Sequence, residues 1–343
     1  MLRAAFFARA ACTALFFAAA PFHQQAAAQD YAGGRGYGPI HKGAPGWRTQ
    51  RIGWRGDNPL ARLGEKLFFD TRLSASGTTA CASCHNPNFA YADPRRVSVS
   101  DNGKHGRRNA PPLLDVGFFS KLMWDGSFHT LEQQAFGPFQ RGEMGIGVDQ
   151  AVQRLHSDPQ YMDLFRAALG TWPTPDGMAH ALATYQRTLV PRASRVDRFL
   201  ASNDAGTLSP IERNGYEVFT RRAGCDRCHH PVPARGDGRP LFSDFQFHNL
   251  GIGYRSGGEP DAGRYELSRN PADVGAFRTP SLRHSAKTPP YMHDGSLATL
   301  EEVVEFYSAG GVPNPHLSPL IRPLHLGSYE KAALVAFLRA LGE

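Results

Sequence analysis

Two short stretches combine residue types and spacing that could do chemistry: Cys81-Ala82-Ser83-Cys84-His85 and Cys225-Asp226-Arg227-Cys228-His229. The fifth cysteine, Cys12, lies in the N-terminal leader, so the other four form two pairs of identical spacing. A disulfide framework or a four-cysteine zinc site would use the thiols. Neither explains a histidine directly after each pair. C-x-x-C-H is the attachment sequence of c-type haem, in which each thiol adds to a porphyrin vinyl group and the following imidazole faces the iron. The spacing therefore predicts two covalently bound haems, with His85 and His229 as proximal ligands and His230 as an exposed neighbour.

The elements that must position these groups repeat along the chain. Asn58-Pro59 and Ser209-Pro210 are cap-then-proline helix starts, the second completing a capping box with Glu212. Each opens an apolar helix that runs towards a haem motif. Further on, "WDGSFHTLEQ" (Trp124 to Gln133) pairs with "HDGSLATLEE" (His293 to Glu302), and Pro111 and Pro280 each stand 13 residues ahead of the first residue of their stretch. Closing helices follow, over "ALATYQRTL" (Ala181 to Leu189) and "ALVAFLRAL" (Ala333 to Leu341). In the second, Leu334, Phe337, Leu338 and Leu341 keep the spacing of a core-facing stripe.

Strand signals are sparse, whereas Gly (36) and Pro (26) are frequent. The expected fold is mainly α: two cytochrome c-like haem domains with long ordered loops and the haems near the domain interface. The expected boundaries are 56–201 for the first domain, 202–209 for the linker and 210–343 for the second.

A chain of 343 residues, 41% hydrophobic, has length for two cores. Its first 28 residues carry Arg3 and Arg9, an apolar run from Ala10 to Phe22 and an Ala26-Ala27-Ala28 cleavage site, the pattern of a secretory signal. That run is too short to span a bilayer, and no later segment is apolar enough. The expected location is the periplasm, with residues 29–55 as a flexible lead-in. The formal charge of +7 falls by two to +5 when Arg3 and Arg9 leave. No basic block or basic-aromatic stripe points to nucleic acid.

Two haems alone could carry electrons, if both irons are closed on both faces. Catalysis needs one iron with a free face and an acid-base group above it. Here the chain resembles the bacterial di-haem cytochrome c peroxidase and MauG superfamily. The resemblance lies in "LGEKLFFDTRLSASGTTACASCHNP" (Leu63 to Pro87), "RRNAPPLLD", "MWDGSFHTLEQQAFGP", "EMG", "FHNLG", "DVGAFRTPSLRH" and "YMHDGSLATLEEVVEFYSAGG", spread over most of Leu60 to Gly311.

It implies that Trp124 lies between the haems and relays electrons. Gln134 and Glu143 match residues of the distal pocket over the first haem, where a carboxylate moves a proton between peroxide oxygens. Asn109, Thr288 and Pro290 match a calcium site between the domains, and an amide oxygen with two carbonyls suits a hard cation.

Two departures within the family matter. At the position of Tyr307 ordinary peroxidases have an axial methionine, and the MauG branch has tyrosine, a hard anionic ligand that favours oxidised iron. Tyr307 thus resembles an axial ligand trans to His229; the alternative is a core tyrosine bonded to a carbonyl. Many ordinary peroxidases also keep a blocking histidine about 16 residues after the first haem histidine; Asp101 stands there, and nearby His105 reads as a loop residue.

The first iron is therefore expected to be open to hydrogen peroxide. The implied activity is a peroxidase-type oxidoreductase that draws electrons through the Tyr307 haem from the aromatic side chains of a partner protein. The rival readings are detoxification of hydrogen peroxide with a small cytochrome c or cupredoxin donor, and a non-enzymatic electron carrier.

Overall fold

Helices supply most of the regular structure in residues 58–202, 204–231, 240–255 and 260–342, which the computed structural model of the chain describes. The leader and lead-in fall outside these residues. In chain order the helices are α1 (Pro59–Phe68), α2 (Leu131–Ala135), α3 (Gly137–Gln140), α4 (Val148–His156), α5 (Pro159–Leu169), α6 (Pro175–Arg187), α7 (Arg195–Ser202), α8 (Pro210–Glu217), α9 (Tyr265–Ser268), α10 (Leu300–Ala309) and α11 (Ser328–Ala340). One small antiparallel sheet pairs β1 (Phe247–Asn249) with β2 (Ala276–Arg278), His248 opposite Phe277.

The cap-then-proline starts form as the sequence predicts. The Asn58 side chain accepts from the Leu60 and Ala61 amides at 2.8 and 3.3 Å. Ser209 and Glu212 cap each other reciprocally at α8, each orphan amide gaining a partner that water would otherwise supply. From α8 the chain runs on through a π-helical turn, Val218–Arg222, towards Cys225. The closing helices are longer than their apolar stripes: α6 starts at Pro175, where Thr174 Oγ1 accepts from Gly177 N at 3.0 Å.

Apolar burial gathers into two cores, one drawn from Leu63 to Leu189 and one from Val196 to Leu341. Each is built on the same helix crossing. In the first, a Cβ on Gly64 of α1 would lie 1.9 Å from the Ala181 carbonyl oxygen of α6; in the second, a Cβ on Gly215 of α8 would lie 2.0 Å from that of Ala333 in α11. Only glycine lets the backbones approach this closely.

The repeats also meet each other reciprocally. Asn109 N donates to His293 O at 2.7 Å, and Arg278 N donates to Trp124 O at 2.8 Å. Asp115 and His284, at corresponding places, both adopt left-handed backbone (φ 62° and 59°) ahead of a 3₁₀ turn. Arg283 ties the cores together from the interior: Nε donates to Asp115 at 2.7 Å, and Nη1 and Nη2 donate to the two Asp197 oxygens at 2.6 and 2.8 Å.

Candidate active site at the two cysteine-histidine stretches

Each C-x-x-C-H stretch folds as a single 3₁₀ turn, Cys81–Ser83 and Cys225–Arg227. His85 N closes the first by donating to Cys81 O at 3.0 Å, and His229 N closes the second by donating to Cys225 O at 2.9 Å. The four thiols are unpaired. Burial pushes those of Cys81 and Cys225 up to about 12, so both are neutral.

The imidazoles are held alike. Nδ1 of His85 lies 2.9 Å from Tyr91 O and Nδ1 of His229 lies 2.8 Å from Phe242 O. A carbonyl only accepts, so Nδ1 carries the proton and the lone pair is on Nε2. Both acceptor residues are themselves in left-handed backbone, Tyr91 at φ 60° and Phe242 at φ 51°, a conformation rare outside glycine. Burial lowers the pKa of both rings, His229 to about 4, leaving them neutral as ligation requires.

A cavity of about 240 Å³ joins the second stretch to its surroundings. Cys225, Cys228 and His229 line it, as does the apolar side of α10 through Leu300, Val303, Val304 and Tyr307. Burial raises the Tyr307 phenol above its ordinary value, and the neighbouring thiols raise it further. Its hydroxyl hydrogen-bonds to no other described residue. By contrast, Tyr161 donates to Asp70 at 2.6 Å and Tyr291 to Ser285 O at 3.0 Å. Tyr307 is half-buried against the cavity, and no carbonyl among the described residues accepts from its hydroxyl.

These observations fit a covalently held haem. The thiols are free, each imidazole presents Nε2, and the second stretch faces an apolar cavity with a phenol oxygen that bonds to no other described residue. When bound, such a haem supplies an iron that can take oxidising equivalents from peroxide.

Trp124, Asn109, Thr288 and Pro290 line the same cavity. Trp124 Nε1 donates to Asn109 O at 2.9 Å, which fixes the indole at the meeting of the two repeats. The Asn109 amide donates to the carbonyls of Asp93 and Arg95 at 2.9 and 2.7 Å, so its oxygen remains an acceptor.

Glu143 and Gln134 lie outside that cavity, on the side of the first stretch. Burial raises the pKa of both Cys81 and Cys84, and the Glu143 carboxylate adds to the rise at each. Burial raises the Glu143 carboxyl, with Arg141 opposing. Its backbone is pinned, N to Pro138 O at 2.8 Å and O from Asp101 N at 2.8 Å. Gln134 Nε2 reaches Met123 Sδ at 3.9 Å, beside Trp124.

Asp101 is engaged elsewhere. Ser76 Oγ and N donate to it at 2.5 and 2.9 Å, which holds its carboxyl down at about 2. His105 is exposed, opposite Val99 in the same hairpin, and His230 is exposed too.

Sequence reasoning passed over three residues near the cavity. His293 stacks on Phe277 at 3.6 Å and meets Trp124 edge-on at 6.5 Å. His248 stands 3.3 Å from Asp244, which raises its pKa to about 9, and 3.6 Å from Cys228. Arg278, only 3% exposed, lines the cavity with no carboxylate partner among the described residues. The signal for Arg278 and His293 was their spacing: they occupy in the second repeat the places of Asn109 and Trp124.

Comparison with known proteins agrees with this geometry. The profile of the family described as di-haem cytochrome c peroxidase matches residues 58–205. "Cytochrome-c peroxidase IdrP1" of Pseudomonas sp. (strain SCT) is 36% identical over 320 residues, covering 83% of this chain and 82% of that protein. "Methylamine utilization protein MauG" of Methylorubrum extorquens is 38% identical over 292 residues, covering 83% and 79%. A solved structure described as a MauG-like protein associated with microbial copper homeostasis superposes with a TM-score of 0.74 at 33% identity, covering 83% and 89%.

The chain belongs to the di-haem cytochrome c peroxidase and MauG family. It is an oxidoreductase of that family with haem as its cofactor, so the reading as a non-enzymatic carrier falls. No helix among the described residues is long and apolar enough to cross a membrane.

Proposed function

We propose that this enzyme is exported to the periplasm and reduces hydrogen peroxide at the His85 haem. Its electrons arrive through the His229 haem from the aromatic side chains of a partner protein. In this reading residues 56–201 and 210–343 are its two cytochrome c-like domains, with α7 packing Val196 into the core of the second. The observation that carries it is Tyr307, an unpartnered phenol in the cavity of Cys225, Cys228 and His229. Such an oxygen would help His229 hold the iron of a haem attached to Cys225 and Cys228, and a hard anionic donor would favour the oxidised metal.

With a haem held by Cys81, Cys84 and His85, Glu143 would take a proton from one peroxide oxygen and return it to the other, so that water leaves. Two electrons and two protons complete the reduction of one hydrogen peroxide to two waters. Gln134 orients the peroxide. Trp124 carries electrons between the halves from its fixed place beside Asn109 O. With the Asp101 carboxylate bound to Ser76 and His105 exposed, no side chain from that hairpin blocks the first haem. Asn109 Oδ1 and the carbonyls of Thr288 and Pro290 hold one calcium ion.

A second reading, detoxification of peroxide with a small cytochrome c or cupredoxin donor, has the name of the IdrP1 relative in its favour. Electron paramagnetic resonance of the resting holoprotein tests the shared part: one high-spin and one low-spin ferric haem are expected, and two low-spin haems refute it. Steady peroxide turnover with reduced cytochrome c then selects the second reading over the first.

A further inference from the structure

We infer that Arg278 binds a carboxylate of the porphyrin attached to Cys225 and Cys228, and that its charge raises the potential of that haem. The inference rests on the second haem site proposed above. Arg278 Nε donates to Met123 O at 3.1 Å and Nη1 to Thr279 O at 2.9 Å. The rings of Phe119 and Phe245 lie against it at 5.6 and 5.5 Å. None of these contacts neutralises a charge. The other fully buried arginine among the described residues, Arg283, has two carboxylates.

The surroundings sharpen the deficit. Lys121 and Arg264 both pack against the Phe247 ring, at 5.0 and 4.7 Å from its centroid. They too donate to carbonyls, those of Phe245 and Asp125. Burial depresses the Lys121 ammonium, and the charges of Arg264 and Arg278 depress it further. Asp244, the acid that Lys121 does sense, is shared with His248. An uncompensated guanidinium in an apolar wall is costly unless an anion joins it. A ligand for this cavity must therefore bring apolar bulk and an anionic group together, and a porphyrin with its propionates does both.

Arg278 N also holds the Trp124 carbonyl, so its charge lies where electrons pass between the halves. A fixed positive charge at low dielectric stabilises the less positive, reduced iron.

The test is a spectroelectrochemical titration of the holoprotein carrying Arg278→Gln or Arg278→Lys, without peroxide. Thioether bonds keep both porphyrins attached in each variant. The potential of the second haem is expected to fall in Arg278→Gln and to recover largely in Arg278→Lys. No fall, or a lysine variant that matches the glutamine one, would overturn the inference. Should Arg278→Gln fail to fold, resonance Raman of Arg278→Lys carries the test. The propionate bending band is expected to shift when an ammonium replaces the guanidinium fork, and an unshifted band refutes the contact. Two low-spin ferric haems in the native resting holoprotein, with these shifts intact in the variants, would sink the proposed function alone.

Discussion

Glu143 and Tyr307 are both oxygen acids whose pKa burial raises, and the consequences differ. For Glu143 a raised pKa brings the carboxyl towards working pH, where a group that must both take and give a proton is most effective. Glu143→Gln should lower kcat/KM for peroxide by about 100-fold to 10,000-fold. The acid limb of the native pH profile should lie above the ordinary value of 4.5. The folded state binds this proton more tightly than the unfolded one, so ionising Glu143 costs stability as pH rises through the raised pKa. The glutamine variant should therefore be at least as stable as the native enzyme in urea titrations at pH 7, which separates a catalytic loss from a folding defect. For Tyr307 the raised pKa keeps the free phenol neutral, so in the proposed role the bound metal would supply its ionisation. Tyr307→Phe should change the low-spin resonance signal of the second haem and abolish oxidation of a partner protein, while sparing donor-dependent peroxide turnover more; equal loss of both activities contradicts the assigned role. The sequence made Tyr307 legible through its place on an apolar helix face. Arg278 stayed hidden because nothing in the sequence says that an arginine has no acid nearby.

The elements that hold these residues depend on two helix crossings with glycine at the contact. Gly64→Ala and Gly215→Ala would each drive a methyl into a backbone carbonyl that cannot rotate away. Each should cost stability at or beyond the upper end of the ~1–3 kcal/mol typical of overpacking, seen as a lowered urea midpoint of the holoprotein. A surface glycine with open space around it, Gly142, serves as the control, although its left-handed φ of 77° makes alanine there mildly strained. The starts of α1 and α8 were legible because an Asx or Ser cap followed by proline leaves the chain little else to do. The start of α6 carries the same signal, Thr174-Pro175, but apolar periodicity marks only the stripe facing the core, which begins at Ala181. The β1–β2 pair escaped notice for a related reason: each strand has three residues, too few for an alternating pattern to stand out.

At the scale of the whole molecule, the two cores are joined by reciprocal backbone bonds and by the buried ion cluster of Arg283, Asp115 and Asp197. The sequence shows the repeats but not this joint: Asp115 and Arg283 lie in two of the matched stretches, yet nothing there pairs them with each other or with Asp197, and all three are far apart in the chain. Arg283→Met would leave two buried carboxylates uncompensated and should cost about 3–5 kcal/mol, read from urea titrations. Beside the cluster His284 is buried, with Nε2 unpartnered. Burial, and then the charge of Arg283, pull its pKa down from 6.5 to about 4. The unfolded chain therefore binds a proton below 6.5 that the folded chain refuses until about 4. The stability this supports is fully present above 6.5, falls as pH drops, and is gone below about 4, a loss of about 3 kcal/mol from this one group. The depressed carboxyls act in a lower window: Asp244 and Asp261, each at about 2 against 3.8 unfolded, lose their contribution only between about 4 and about 2. Acid destabilisation should thus come in two stages. His284→Asn, which tolerates the left-handed backbone of that position, should flatten the first stage by close to one proton and leave the second unchanged. Urea titrations from pH 7 to 2.5 check this, and an unaltered slope between pH 6.5 and 4 in the variant would assign the first stage to other groups.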